Sequence, residues 1–165
     1  IGLVNDLIKN LGINLNNKTI LILGAGGATR GILLPILKQS PKRLMIANRT
    51  ASKATQLAKD FADHGKTCGF GLDKIKDTPV DVIINATSAS LDGQMPTIAN
   101  GVANDAICYD LMYGAQTPFM DWAKANNAKM VVDGLGMLVE QAASAFEFWT
   151  GKQPNTQEVI NNLRS

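Results

Sequence analysis

The stretch that most constrains the fold is Thr19–Gly31, TILILGAGGATRG. Ile20 to Leu23 are aliphatic without interruption, the pattern of a strand buried on both faces. Gly24, Gly26 and Gly27 come next with no spacer, and Ile32, Leu33, Ile36 and Leu37 then recur at helical spacing. Glycines at a strand-to-helix turn allow otherwise forbidden backbone angles and close approach to a bound group. The helix start aims free N–H groups and a positive dipole end at that group. A diphosphate fits such a site. The G-x-G-x-x-G pattern is imperfect, because Thr29 stands at the third glycine position, and the glycines alone are equally compatible with a tight structural turn.

The rest of the chain alternates in the same way. Arg43–Ala47, Lys66–Phe70, Val80–Asn85, Ala106–Leu111 and Lys129–Val132 read as further strands, the stretch at Lys66 being the weakest. Ala28–Gln39 reads as a helix bent at Pro35. Thr50 or Ser52 is placed to cap a second helix running to about Asp63. Pro118–Ala125, Gly136–Trp149 and Thr156–Leu163 complete the helices. Apolar strands alternating with helices specify a parallel sheet covered on both sides. The expected fold is therefore α/β: a Rossmann-like, doubly wound, mostly parallel six-stranded sheet with helices on both faces. A length of 165 residues suits one domain. Gly2–Leu11 reads as an amphipathic helix with Leu3, Leu7 and Leu11 on one face. No capping residue precedes it and Ile, not Met, stands at position 1, so the expectation is a piece of a longer polypeptide.

Ligands of such sheets lie at the carboxyl ends of the strands. Asn48, Thr87, Leu111 and Asp133 would then share one edge. Sheets of this kind that bind NAD usually end strand two in an acid. Here the end reads Asn48, Arg49, Thr50, with Lys53 one helical turn on. Arg forks onto a phosphate and Lys adds a point charge, which predicts NADP over NAD; the bland alternative is a pair of solvated surface cations. Small side chains at Asn85–Ser88 let a nucleotide pass close to the backbone, although a capped turn fits as well. Gly134 to Met137 would meet the nicotinamide end, and Gln141, on the same helix face as Met137, reads as an inward-facing amide for the core or for a polar substrate. A general acid/base is hard to find. Asp110 and Asp133 lie near the right edge, but nothing beside them would raise their pKa, and Tyr113 reads better as a substrate contact.

Charge and cysteine usage exclude other classes. The net charge is +2 with no basic block, so nothing calls for nucleic acid or an anionic membrane. No apolar run approaches a bilayer span and no signal peptide is visible. Cys68 and Cys108 lack metal-ligand spacing and read as buried thiols suited to a reducing cytoplasm; no metal site is expected. His64, beside Gly65 at the end of a helical pattern, reads as structural.

Taken together, GAGGATRG, IANRTASK, IINATS, YDLMYG, TPF and DGLGMLVEQAA resemble the shikimate dehydrogenase family in order and spacing across essentially the whole chain. The resemblance implies NADPH-dependent reduction of 3-dehydroshikimate to shikimate, in aromatic amino acid biosynthesis. It implies a diphosphate loop at Gly24, Ala25, Gly26, Gly27 and Ala28, and an NADP-selecting clamp of Asn48, Arg49, Thr50 and Lys53. Thr87 and Ser88 would line the adenosine side. Leu111 and Gly134 would meet the nicotinamide through their backbones, Met137 would pack beside it, and Tyr113 and Gln141 would contact shikimate. The family's catalytic Lys and Asp belong to an N-terminal domain, so no catalytic residue is expected within 1–165. Ile1–Leu11 matches a hinge helix and Asn155–Ser165 a C-terminal helix that pack toward that domain; without it, self-association through exposed apolar surface is expected. The rivals are a quinate/shikimate dehydrogenase that also uses NAD, which tends to carry an acid near the end of strand two, and a non-catalytic dinucleotide-sensing module, which leaves Tyr113 and Gln141 without a task.

Overall fold

The computed structural model describes residues 1–87, 89 and 94–165. The strands are β1 (Thr19–Leu23), β2 (Arg43–Asn48), β3 (Thr67–Gly71), β4 (Val82–Asn85), β5 (Ile107–Asp110) and β6 (Met130–Val132). They form one sheet in the order β3-β2-β1-β4-β5-β6. All five pairings are parallel, so the sheet is wholly rather than mostly so. That order, with the reversal between β1 and β4, is the dinucleotide-binding arrangement. The helices are α1 (Gly2–Asn5), α2 (Gly27–Leu37), α3 (Ala51–Asp60), α4 (Pro118–Ala125), α5 (Leu135–Thr150) and α6 (Thr156–Arg164).

The two faces of the sheet are covered unequally. Ile20, Ile22, Leu44, Ile46, Val82, Ile84 and Tyr109 form one core with Leu3 and Leu7 near the N-terminus, α2 and α3. Leu21, Leu23, Ala47, Ile83 and Cys108 face the other way, against Phe119 and Ala123 of α4 and the turn at Val102 and Ala103. Between β3 and β4 the chain makes only a 3-10 turn at Leu72–Lys74 instead of a crossover helix. A groove of about 560 Å³ remains beneath that crossover, lined by Leu21, Met45, Phe70 and Val80. Thr19 and Arg43 at its rim begin their strands, so the groove lies toward the amino ends.

Two local expectations are corrected. The first helix is not α-helical throughout: beyond Asn5 it widens into a π-helical turn at Asp6–Asn10, with the Leu11 N–H donating to the Asp6 carbonyl at 3.0 Å. Thr50 occupies the N-cap position of α3 but its side chain makes no capping hydrogen bond. The cysteines are free thiols, Cys108 buried and Cys68 half-buried on β3. Three strands separate β3 from β5, which rules out a bridge between them. Burial pushes the Cys108 thiol up to about 12.

Packing against α3 depends on a glycine. A Cβ on Gly69 of β3 would overlap the Ala54 backbone carbonyl of α3, whereas one on Gly31, inside α2, would meet nothing within 4 Å. Gly69→Ala is therefore expected to destabilise the fold by about 1–3 kcal/mol through overpacking. Gly31→Ala should stabilise it by about 0.5–1 kcal/mol through helix propensity. Urea unfolding followed by circular dichroism checks both signs; a neutral Gly69→Ala would refute the close α3–β3 packing.

Candidate functional site

Parallel pairing brings every strand to the same edge at its carboxyl end. Leu23 stands beside Ala47 and Asn85, Asn85 beside Asp110, and Tyr109 beside Val132. Backbone hydrogen bonds continue along this edge past the strands: Gly24 N–H to the Ala47 carbonyl, Ala86 N–H to Leu23, Leu111 N–H to Asn85, and Gly134 N–H to Met112, all at 2.8–3.0 Å. Gly24, Asn48, Thr87, Leu111 and Gly134 are thereby gathered into one row, as the strand-end argument requires.

The glycine loop is built for close approach. Gly24 is buried at φ +103°, a conformation that L side chains rarely adopt, and a Cβ there would press on the Ala86 carbonyl at 2.9 Å. Gly26 and Gly27 are exposed, and a Cβ on either would meet nothing within 4 Å. Gly26 is the N-cap of α2 and no side chain caps that helix start. The first N–H groups of α2 thus open toward solvent with the positive end of the helix behind them. Thr29, at the imperfect glycine position, is fully buried and its hydroxyl donates to the Gly24 carbonyl at 3.0 Å. The departure from the glycine pattern is a hydrogen bond that closes the loop.

Arg49, Thr50 and Lys53 are exposed beside this loop, and Asn48 Nδ2 donates to the Thr50 carbonyl at 3.1 Å. Among the described residues neither Arg49 nor Lys53 is in an ion pair. Arg30, by contrast, is committed to Asp60 at 2.8 Å and lies over the Phe61 ring. Two unpaired cations beside an uncapped helix start suit a phosphate.

On the far side of the row, Asp110 is fully buried, and its two oxygens accept from Asn85 Nδ2 at 3.2 Å, the Met112 N–H at 3.1 Å and the Thr117 hydroxyl at 2.6 Å. Asn85 Oδ1 accepts from both the backbone and the hydroxyl of Thr87, at 3.2 and 2.7 Å. Thr117 in turn caps α4. Asp110 therefore holds loops together and faces no solvent, which removes it as an acid/base candidate. Asp133 is held by Arg164 of α6 at 2.9 Å. Neither Asn85 nor Asp110 was expected as a framework residue; the signal available in the sequence was a polar side chain closing a strand otherwise buried on both faces.

Gly134 opens α5, and a Cβ there would overlap the Leu111 carbonyl. Met137 is half-buried, Tyr113 is 48% exposed, and Gln141 is exposed, not inward-facing as its helical position suggested. It lies on the rim of α5, where its backbone abuts Gly2. Ser88 lies outside the described residues.

Comparison with known proteins identifies the family. The family model described as shikimate / quinate 5-dehydrogenase matches residues 6–100. The chain belongs to that family. A second model, the shikimate 5'-dehydrogenase C-terminal domain, matches residues 134–164. A shikimate dehydrogenase (NADP(+)) of Ruthia magnifica is 73% identical over all of this chain and 62% of its own length. One of Colwellia psychrerythraea is 51% identical over 99% of this chain and 60% of its own. Among solved structures, an Ael1 enzyme from Pseudomonas putida superposes with TM-score 0.93 at 43% identity, over 98% of this chain and 60% of that one. A shikimate dehydrogenase in complex with NADP+ gives 0.80 at 36%, over 97% and 58%. The chain thus spans about three-fifths of the length of the curated relatives it matches.

Thr29→Val keeps the volume but removes the hydroxyl. It should leave the Gly24 carbonyl unpaired and cost about 1–2 kcal/mol of stability, measured by urea denaturation. An unchanged unfolding midpoint would mean that the hydroxyl does not close the loop.

Proposed function

We propose that this chain is the NADP-binding part of a shikimate dehydrogenase, an oxidoreductase that reversibly reduces 3-dehydroshikimate to shikimate. The observation that carries the reading is the pairing of an uncapped, glycine-opened helix start with the free Arg49 and Lys53 at the end of β2. The residues present fit the cofactor: Gly24–Ala28 would hold its diphosphate, and Asn48, Arg49, Thr50 and Lys53 its 2′-phosphate. Thr87, and Ser88 by sequence, would line the adenosine side, while Leu111, Gly134 and Met137 would border the nicotinamide. Bound NADPH supplies the hydride. This chain's residues bind and orient, with Tyr113 and Gln141 turned to the shikimate.

Proton transfer needs a general acid/base, and the described candidates at this edge do not serve. Asp110 is enclosed, Asp133 is paired, and burial followed by its bond to Asp6 pushes the Tyr109 hydroxyl above its ordinary range. The reading therefore includes an N-terminal substrate domain that carries the catalytic pair. Its support is the length of the relatives and the exposed apolar residues Ile1, Phe146, Phe148, Trp149 and Leu163. Left uncovered, exposed apolar residues of this kind favour self-association. The free thiols suit a cytoplasmic protein, and among the described residues no helix is long and apolar enough to cross a membrane.

Titration of the chain with NADPH and NADH tests the cofactor assignment. NADPH is expected to bind at least about tenfold more tightly, and Arg49→Asp should remove that preference by replacing a charge-assisted fork with a like charge. Tighter NADH binding would favour the quinate/shikimate branch, and no binding of either would refute the site. Coding sequence upstream of Ile1 with an Asn-Thr-Asp-Gly run and an earlier Lys would separate the enzyme from a sensing module.

A further inference from the structure

A second buried polar cluster lies on the opposite side of β5, and the reading above gives it no part in binding. Asp6 is 3% exposed. Its Oδ2 accepts from the Tyr109 hydroxyl at 2.6 Å and its Oδ1 from Asn10 Nδ2 at 2.8 Å. Asn10 also donates to Glu140 Oε1 at 3.2 Å. The Tyr109 oxygen accepts from the backbone N–H of Met137 at 3.3 Å. Hydrogen bonds therefore run from the π-helical turn after α1, through β5, into the first turn of α5.

Sterics reinforce this connection. A Cβ on Gly136 would overlap the Asp6 carboxylate, and one on Gly2 would press on the Met137 carbonyl. Meanwhile α5 opens on Gly134 with no side-chain cap and no acid in its own first turn. The positive end of a helix favours a nearby carboxylate, and its early N–H groups need partners. Asp6 supplies the charge from another element, and Tyr109 pairs the Met137 N–H.

We propose that Asp6 and Tyr109 are positioning residues. Held by Asp6, the Tyr109 hydroxyl fixes the first turn of α5 against β5 and α1, and so sets where Gly134, Met137 and Gln141 stand. The inference rests on the reading that these three border nicotinamide and shikimate. A purely structural pair would stabilise the fold equally well, so the test must separate placement from stability.

Tyr109→Phe in the full-length enzyme removes one oxygen and keeps the ring. The dissociation constant for NADPH should stay within about twofold, because the glycine loop and Arg49 are untouched, while kcat/KM for shikimate falls about tenfold through KM. Exchange of the Met137 amide should speed up about tenfold, in the full enzyme and in the 165-residue chain alike. Asp6→Asn, which keeps an oxygen for the Tyr109 hydroxyl, should recover most of the KM, and Asp6→Ala should not. If Asp6→Ala fails to fold, Tyr109→Phe decides alone. Unchanged KM and kcat in Tyr109→Phe, with only a lowered unfolding midpoint, would overturn the positioning role. Should the wild type neither bind NADPH nor turn over, the functional reading fails instead. The Met137 amide then settles this proposal: faster exchange in Tyr109→Phe supports it and unchanged exchange rejects it.

Discussion

Parallel pairing in a single register is the constraint on which the rest of the molecule depends. Because β2, β1, β4 and β5 end level with one another, residues far apart in sequence become neighbours through backbone pairing alone, whether or not their side chains touch. The backbone bonds beyond the strand ends then carry that alignment into the loops. Parallel strands need crossovers, and crossovers bury both faces, so each strand must be apolar on both sides. Polar chemistry is thereby confined to strand ends, which is where Asn48, Asn85 and Asp110 stand.

That confinement explains why so much of the architecture was legible. Ile20–Leu23 and Val82–Ile84 are apolar on both faces, and the glycine turn after β1 marks where the alternation starts. The candidate site follows by the same logic: once the strands are placed, the residues after them are candidates, and Arg49 and Lys53, exposed and in no ion pair among the described residues, are the cations proposed for the phosphate. What escaped has a different physical character. The π turn at Asp6–Asn10 has ordinary helical spacing in sequence, and its side chains bond to residues 103 and 130 positions away, Asp6 to Tyr109 and Asn10 to Glu140. Thr50 lacks its expected cap bond although its position is correct. Gln141 is exposed although Met137, four residues earlier on the same face, is half-buried: its backbone abuts Gly2 while the rest of the residue reaches solvent.

Thr29 shows how a departure from a pattern is read only with coordinates. A third glycine in the fingerprint allows close helix–strand packing. In this chain the position holds a buried hydroxyl bonded to Gly24, so a side chain enters that space and is compensated by a hydrogen bond. Burying the hydroxyl without that partner would cost about 1–3 kcal/mol. Gly24 is therefore held on both sides, its N–H by the Ala47 carbonyl and its carbonyl by the Thr29 hydroxyl.

The end of β5 carries two polar networks, and strand geometry keeps them apart. Successive side chains on a strand point to opposite faces. Tyr109 packs in the core shared with α2 and α3, and its hydroxyl reaches Asp6. Asp110 points the other way, to Thr117 at the start of α4 and to Asn85 on β4. A buried carboxylate is tolerated only where donors surround it, and each of these two has its own set. The two networks act on different loops. Asp110 ties the β4 and β5 loops to α4, whereas Asp6 ties α1 to α5. Because they share no hydrogen bond among the described residues, a change on one face of β5 need not disturb the other. β5 thus supports the loops after β4 and β5 from one face and the start of α5 from the other, each with its own set of hydrogen bonds.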